Sequence, residues 1–126
     1  MMNPAQTQQT VKTILVVDDE DAIRRGLRRV LTHEGYEVID AKTGEDAIRL
    51  LGERECHLAL LDMNMPSLNG WGTLARLRML QSGLPAIIIT ARSDQRSLAR
   101  EIGIDLLEKP INRAILLSRV SKLLHC

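Results

Sequence analysis

Aliphatic runs without polar alternation constrain this chain more than any other feature: ILVV at 14–17, VI at 38–39, LALL at 58–61, AIII at 86–89 and LL at 106–107. They are too short for buried helices and lack the alternating pattern of a half-exposed sheet, so they suit strands covered on both faces. Helical patterns separate them. Ile23, Leu27, Val30 and Leu31 fall on one face of a first segment, and Ala47, Ile48, Leu50 and Leu51 on one face of a second. Leu74, Leu77 and Leu80 mark a third, Leu98, Ala99 and Ile102 a short fourth, and Ile115, Leu116, Val120, Leu123 and Leu124 the last. Glycines 35 and 44 are expected at the turns flanking VI. Strand and helix alternating five times predict an α/β, doubly wound, parallel five-stranded sheet flanked by five helices.

With 126 residues the chain has the length of one domain with a real core. Residues 1–12 are polar and Gln/Thr-rich and read as a mobile tail, so the domain is expected over 13–126, with no room for a second after the last helix. No run approaches a membrane span or the apolar core of a signal peptide. Seventeen basic against sixteen acidic residues give a net charge of +1, too weak a field to advertise nucleic acid or membrane as a direct partner. Aromatic residues make up 2%, Tyr36 and Trp71 alone, which argues against base-stacking platforms and ring-walled flavin pockets. Cys56 and Cys126 have no metal-ligand spacing and fit free thiols in a reducing cytoplasm. His33, His57 and His125 also lack ligand spacing and read as structural or surface residues.

Four runs deliver polar residues at their C-terminal ends: Asp18 and Asp19, Asp62, Thr90, and Lys109 after Glu108. In an open parallel sheet the ligand crevice lies outside those ends, so the residues should converge. Two carboxylates ~4 Å apart repel by roughly 4 kcal/mol at an effective dielectric near 20, which calls for a cation among Asp18, Asp19 and Asp62. Mg²⁺ suits a site of a few hard oxygens and a phosphate better than Ca²⁺, which wants an encircling loop. Asp62 is placed as a nucleophile toward phosphorus, and Thr90 and Lys109 as donors to the oxygens of a transferring phosphoryl group. Taken singly, Asp18 to Asp21 also fit a helix N-terminus, and Asp62 a strand-end turn.

The motifs VDDE at 17–20, LDMNMP at 61–66 with Asn69 and Gly70, ITA at 89–91 and EKP at 108–110 together resemble the receiver domain of a two-component response regulator, over Thr13 to about Leu124. The resemblance implies a flavodoxin-like strand order 2-1-3-4-5, an order for which a receiver is itself a standing example among doubly wound folds. It implies that Asp62 is phosphorylated from a histidine kinase or a histidine phosphotransfer protein with Mg²⁺. Asp19 becomes the direct metal ligand, Asp18 acts through water, and the Asn64 backbone carbonyl completes the metal shell. Lys109-Pro110 matches a bond usually cis in the family. The chain would catalyse only its own phosphorylation and dephosphorylation, in the cytoplasm, as a monomer or weak dimer. Its state would control an output partner that the residues do not specify.

Two departures stand out. The stretch from Thr90 to Lys109 is a few residues shorter than usual, which predicts a shortened helix-four region. Leu106 stands where receivers often carry Tyr or Phe, and Ile111 replaces a frequent Phe. Arg24, Arg25, Arg28 and Arg29 form a basic stripe expected on the exposed side of the first helix, either a solvated face or a docking surface. Trp71 is expected as a half-buried lid beside Asp62. An alternative is the amino-terminal piece of a longer DNA-binding transcriptional regulator. An Asp-nucleophile phosphatase fits less well, since such enzymes place an acid-base Asp where Asn64 stands and need a cap domain. A flavodoxin-like redox carrier would set a phosphate against Asp18 and Asp19.

Overall fold

The computed structural model describes residues 11–63, 70–91 and 96–125. In chain order they form β1 (Thr13–Val17), α1 (Asp21–His33), β2 (Glu37–Ala41), α2 (Gly44–Glu53), β3 (Leu58–Asp62), α3 (Gly70–Leu80), β4 (Ala86–Thr90), α4 (Arg96–Ile102), β5 (Asp105–Glu108) and α5 (Arg113–His125). The strands make one sheet in the order β2-β1-β3-β4-β5, and every neighbouring pair is parallel. Fold class and strand order are those read from the sequence.

The absence of alternation has a direct structural cause: β1, β3 and β4 are buried at every position. Odd and even residues feed opposite cores. Leu15, Val17, Ala59, Leu61, Ile88 and Leu106 face one side, packed with Ala47 and Leu51 of α2, Leu74 and Leu77 of α3, and Ala99 of α4. Ile14, Val16, Leu60, Ile87, Ile89 and Leu107 face the other, packed with Leu27 and Leu31 of α1 and Leu116 and Val120 of α5. Fully burying one such side chain is worth about 1.5–3 kcal/mol, so these two layers supply the main driving force.

Several local expectations need correction. Gly44 is no turn: Thr43 caps α2, its hydroxyl accepting from the Asp46 N–H at 3.0 Å, and Gly44 opens the helix. Leu80, Leu98, Ile102, Ile115 and Leu123 are exposed rather than core-facing. A helix lying on one face of a sheet buries a narrow stripe, and these residues fall beside it. Among the described residues α4 spans the seven positions Arg96–Ile102. It is closed by Gly103 at φ +81°, whose N–H reaches Arg100 O at 3.1 Å while the Ile104 N–H reaches Ala99 O at 2.9 Å, a Schellman stop. Among the described residues, no helix is long and apolar enough to cross a membrane.

Candidate functional site

Each strand end at the crevice is stitched to its neighbour just where a polar side chain departs. The Asp18 N–H donates to Ala41 O at 3.1 Å, the Met63 N–H to Ile89 O at 3.0 Å, and the Lys109 N–H to Thr90 O at 2.8 Å. These bonds extend the ladders past the last strand residues and hold the side chains on a rigid rim. Asp18 and Asp62 are each 1% exposed, and Thr90 is fully buried at the end of β4. Asp19 is half-buried, and the carboxylates of Asp18, Asp19 and Asp62 have oxygens all within 4.8 Å of one another.

Lys109 is the cation set against them. Its Nζ lies 3.5 Å from Asp62 Oδ1, 3.6 Å from Asp18 Oδ2 and 3.4 Å from Glu20 Oε1. Three contacts of this length are shared ion pairs rather than one tight hydrogen bond. Burial alone would pull the Lys109 ammonium down, yet Asp18, Asp62 and Glu20 together hold its pKa above the usual lysine value. Asp18 is displaced upward from the ordinary carboxylate value, chiefly by burial and then by the Asp62 charge, against the Glu20 N–H that donates to its Oδ1 at 2.8 Å. Asp18 Oδ2 is buried without a hydrogen bond. A buried carboxylate oxygen with no hydrogen bond and only a 3.6 Å ion pair, in a cluster of three acids and one lysine, is chemically suited to a hard divalent cation.

The structure thus brings together Asp18, Asp19, Asp62 and Lys109, with Thr90 on the neighbouring strand end. Asn64 lies outside the described residues. Lys109-Pro110 is cis. Trp71 is half-buried at the start of α3, against the core under the site. Leu106 is buried in that same core. The histidines are structural or exposed: His57 Nδ1 accepts the Thr13 N–H at 2.9 Å, His125 meets the Tyr36 hydroxyl at 3.2 Å, and His33 is exposed.

The arginine stripe does not exist as a uniform exposed face. Arg24, only 15% exposed, turns into the β1–α1 loop, while Arg25, Arg28 and Arg29 are exposed, Arg28 with its guanidinium paired to Asp40 at 3.0 Å. Glu20 and Arg24 are the contributors to the site that sequence reasoning missed. Glu20 could have been suspected from its place directly after Asp18 and Asp19, and Arg24 from its spacing to Asp21.

The model of the response regulator receiver domain family matches residues 14–121. The chain is 40% identical over 117 residues to the probable transcriptional regulator ycf27 of Cyanophora paradoxa, covering 90% of this chain and 48% of that protein. It is 33% identical over 118 residues to the transcriptional regulatory protein AfsQ1 of Streptomyces coelicolor, covering 90% and 51%. The chain therefore spans about half the length of the curated relatives it matches. Among solved structures it resembles the response regulator protein TrrA of Thermotoga maritima in complex with Mg²⁺-BeF, with TM-score 0.82, 35% identity and coverage of 90% and 100%. It also resembles the chemotaxis protein CheY4 of Vibrio cholerae, with TM-score 0.83, 26% identity and coverage of 91% and 100%. The five-stranded parallel sheet, the acidic rim with its lysine and these likenesses converge: the chain belongs to the receiver domain family of two-component response regulators.

Proposed function

We propose that Asp62 is the phosphoacceptor of this receiver and that residues 13–126 act as one phosphorylatable unit. The observation that carries the reading is the buried Asp62 carboxylate held 3.5 Å from Lys109, within a cluster whose Asp18 Oδ2 has no hydrogen bond. An Asp62 oxygen attacks the phosphorus of a phosphohistidine on a histidine kinase or phosphotransfer protein. The P–N bond breaks, its electron pair stays on the imidazole, which takes up a proton, and an acyl phosphate forms. Thr90 and Lys109 donate to the phosphoryl oxygens, and Lys109 trades its Asp62 contact for one of them. Asp19, Asp62 and Asn64 would hold Mg²⁺, with Asp18 reaching it through water. When bound, that ion neutralises the carboxylates and the charge of the incoming group. Hydrolysis of the acyl phosphate resets the domain, so it works as a cytoplasmic switch that turns over only its own modification.

The output is proposed to be transcriptional. The relatives matched over about half their length are named as transcriptional regulators, which supports this chain as the receiver portion of such a protein. Buried Leu106 and the seven-residue α4 support a switch that moves the α4 region rather than a ring, with a monomer or a weak dimer as the active form. The test is incubation with acetyl phosphate and Mg²⁺ followed by intact mass measurement. One phosphoryl group should add to the wild type and none to Asp62→Asn; equal labelling of the variant overturns the assignment.

A further inference from the structure

Arg24 touches the site through the backbone that carries the acidic pair. Its Nη1 donates to the backbone carbonyl of Asp18 at 2.7 Å, its Nη2 donates to Asp21 Oδ1 at 2.6 Å, and its Nε lies 3.6 Å from Asp40 Oδ2. Asp40, near the C-terminal end of β2, is also held by Arg28, whose Nη2 donates to Oδ1 at 3.0 Å. The other side of the same peptide region is fixed by the Asp18 N–H on Ala41 O at 3.1 Å. The loop that carries both Asp18 and Asp19 is therefore clamped by its carbonyl and its amide, from α1 and from β2.

The electrostatic sign matters. A bare guanidinium beside the acidic cluster would repel a divalent cation. Here Asp21 and Asp40 neutralise it, so what Arg24 contributes at the cluster is direction rather than charge. Arginine suits this position because its rigid planar fork holds its donors in fixed directions toward a carbonyl and two carboxylates, whereas a lysine ammonium is a point charge on a flexible stem.

We propose that Arg24, itself held by Asp40, is a positioning residue for the metal site: by fixing the Asp18 carbonyl it sets the angle at which the Asp18 and Asp19 carboxylates meet Asp62. The inference rests on the reading of Asp18, Asp19 and Asp62 as a metal site.

The test is titration with Mn²⁺, followed by the paramagnetic resonance signal of the free ion, on the unphosphorylated chain. Loss of a hydrogen bond to a charged donor predicts about tenfold weaker Mn²⁺ binding in Arg24→Met. Arg24→Lys, which keeps one donor, should fall between that and wild type. Asp40→Asn, which loosens Arg24 from outside, should weaken binding about threefold, and Arg28→Met, which touches Asp40 but not the loop, by no more than about twofold. A positioning role also splits the kinetics: labelling of Arg24→Met by acetyl phosphate should return to within about twofold of wild type once Mg²⁺ is saturating. Mn²⁺ binding in Arg24→Met as tight as wild type or tighter overturns the inference. So does labelling that stays slow at saturating Mg²⁺, the mark of general structural damage. If Arg24→Met does not fold, Arg24→Lys and Asp40→Asn decide, and wild-type affinity in both overturns it. A wild type that binds no Mn²⁺ removes the metal site itself and the inference with it.

Discussion

At the N-terminal ends of the strands, the Thr13 N–H donates to His57 Nδ1 at 2.9 Å and the His57 N–H returns to Thr13 O at 2.8 Å. Gln81 does the same for Cys56, giving to its carbonyl at 2.6 Å and accepting its N–H at 3.2 Å, and Arg78 donates twice to Leu84 O. At the C-terminal ends, by contrast, three carboxylates crowd around one lysine, and Asp18 Oδ2 has no hydrogen bond, only the Lys109 ammonium 3.6 Å away. The same sheet thus satisfies its buried polar groups at one edge and leaves charge only partly compensated, by one lysine, at the other. Uncompensated buried charge costs stability, and a fold tolerates it where a ligand relieves it. One edge serves the fold, the other the chemistry.

Substitutions at the two edges should separate along the same line. The largest effect is expected for Asp62→Asn, which should cut acetyl phosphate labelling by about 10³-fold or more while the protein stays folded, as mass measurement and thermal melting together would reveal. Gly70→Ala tests how closely the rim is built. A Cβ there would sit 2.9 Å from the Asp62 carbonyl oxygen and 2.2 Å from Met63 Cε. The methionine can swing away but the backbone cannot, so a loss of about 2–3 kcal/mol in denaturant unfolding is expected together with slower labelling. Unchanged stability and rate would mean that the rim yields freely.

Gln81→Ala at the opposite edge strands the Cys56 N–H and carbonyl and should cost about 1–2 kcal/mol with labelling unchanged. A labelling defect there would blur the division between the edges. Asp18→Asn gives the smallest shift, and in the other direction. Burial raises the folded-state pKa of Asp18 above its unfolded value, so its ionisation destabilises the fold as pH rises through the folded value, and the penalty is absent below the unfolded one. In EDTA the variant should therefore melt higher than wild type at neutral pH, with the gain disappearing in acid. A lower melting temperature at neutral pH would mean that Asp18 stabilises the metal-free protein.

Most of the chemical edge was legible in the sequence because strand ends are legible. Unalternating runs mark buried parallel strands, and Asp18, Asp62, Thr90 and Lys109 stand at or directly after their ends. The Arg24–Asp40 clamp was not legible, since α1 and β2 meet only through the fold and each residue alone looks like an ordinary surface charge. Gln81 was silent for the same reason: its partner is a backbone segment before β3. The helix faces were over-read at Leu80, Leu98 and Ile102, because short helices carry more apolar positions than the sheet can cover.

The central claim is that the acidic edge with its single lysine serves to hold an acyl phosphate on Asp62. Its most direct test is borohydride reduction of the protein after incubation with acetyl phosphate and Mg²⁺, followed by peptide mass mapping. Borohydride reduces an acyl phosphate to the alcohol, so the account predicts homoserine at position 62 and at no other aspartate. An unreduced Asp62 in a protein that has gained a phosphoryl group, or homoserine at Asp18 or Asp19 in its place, would contradict it.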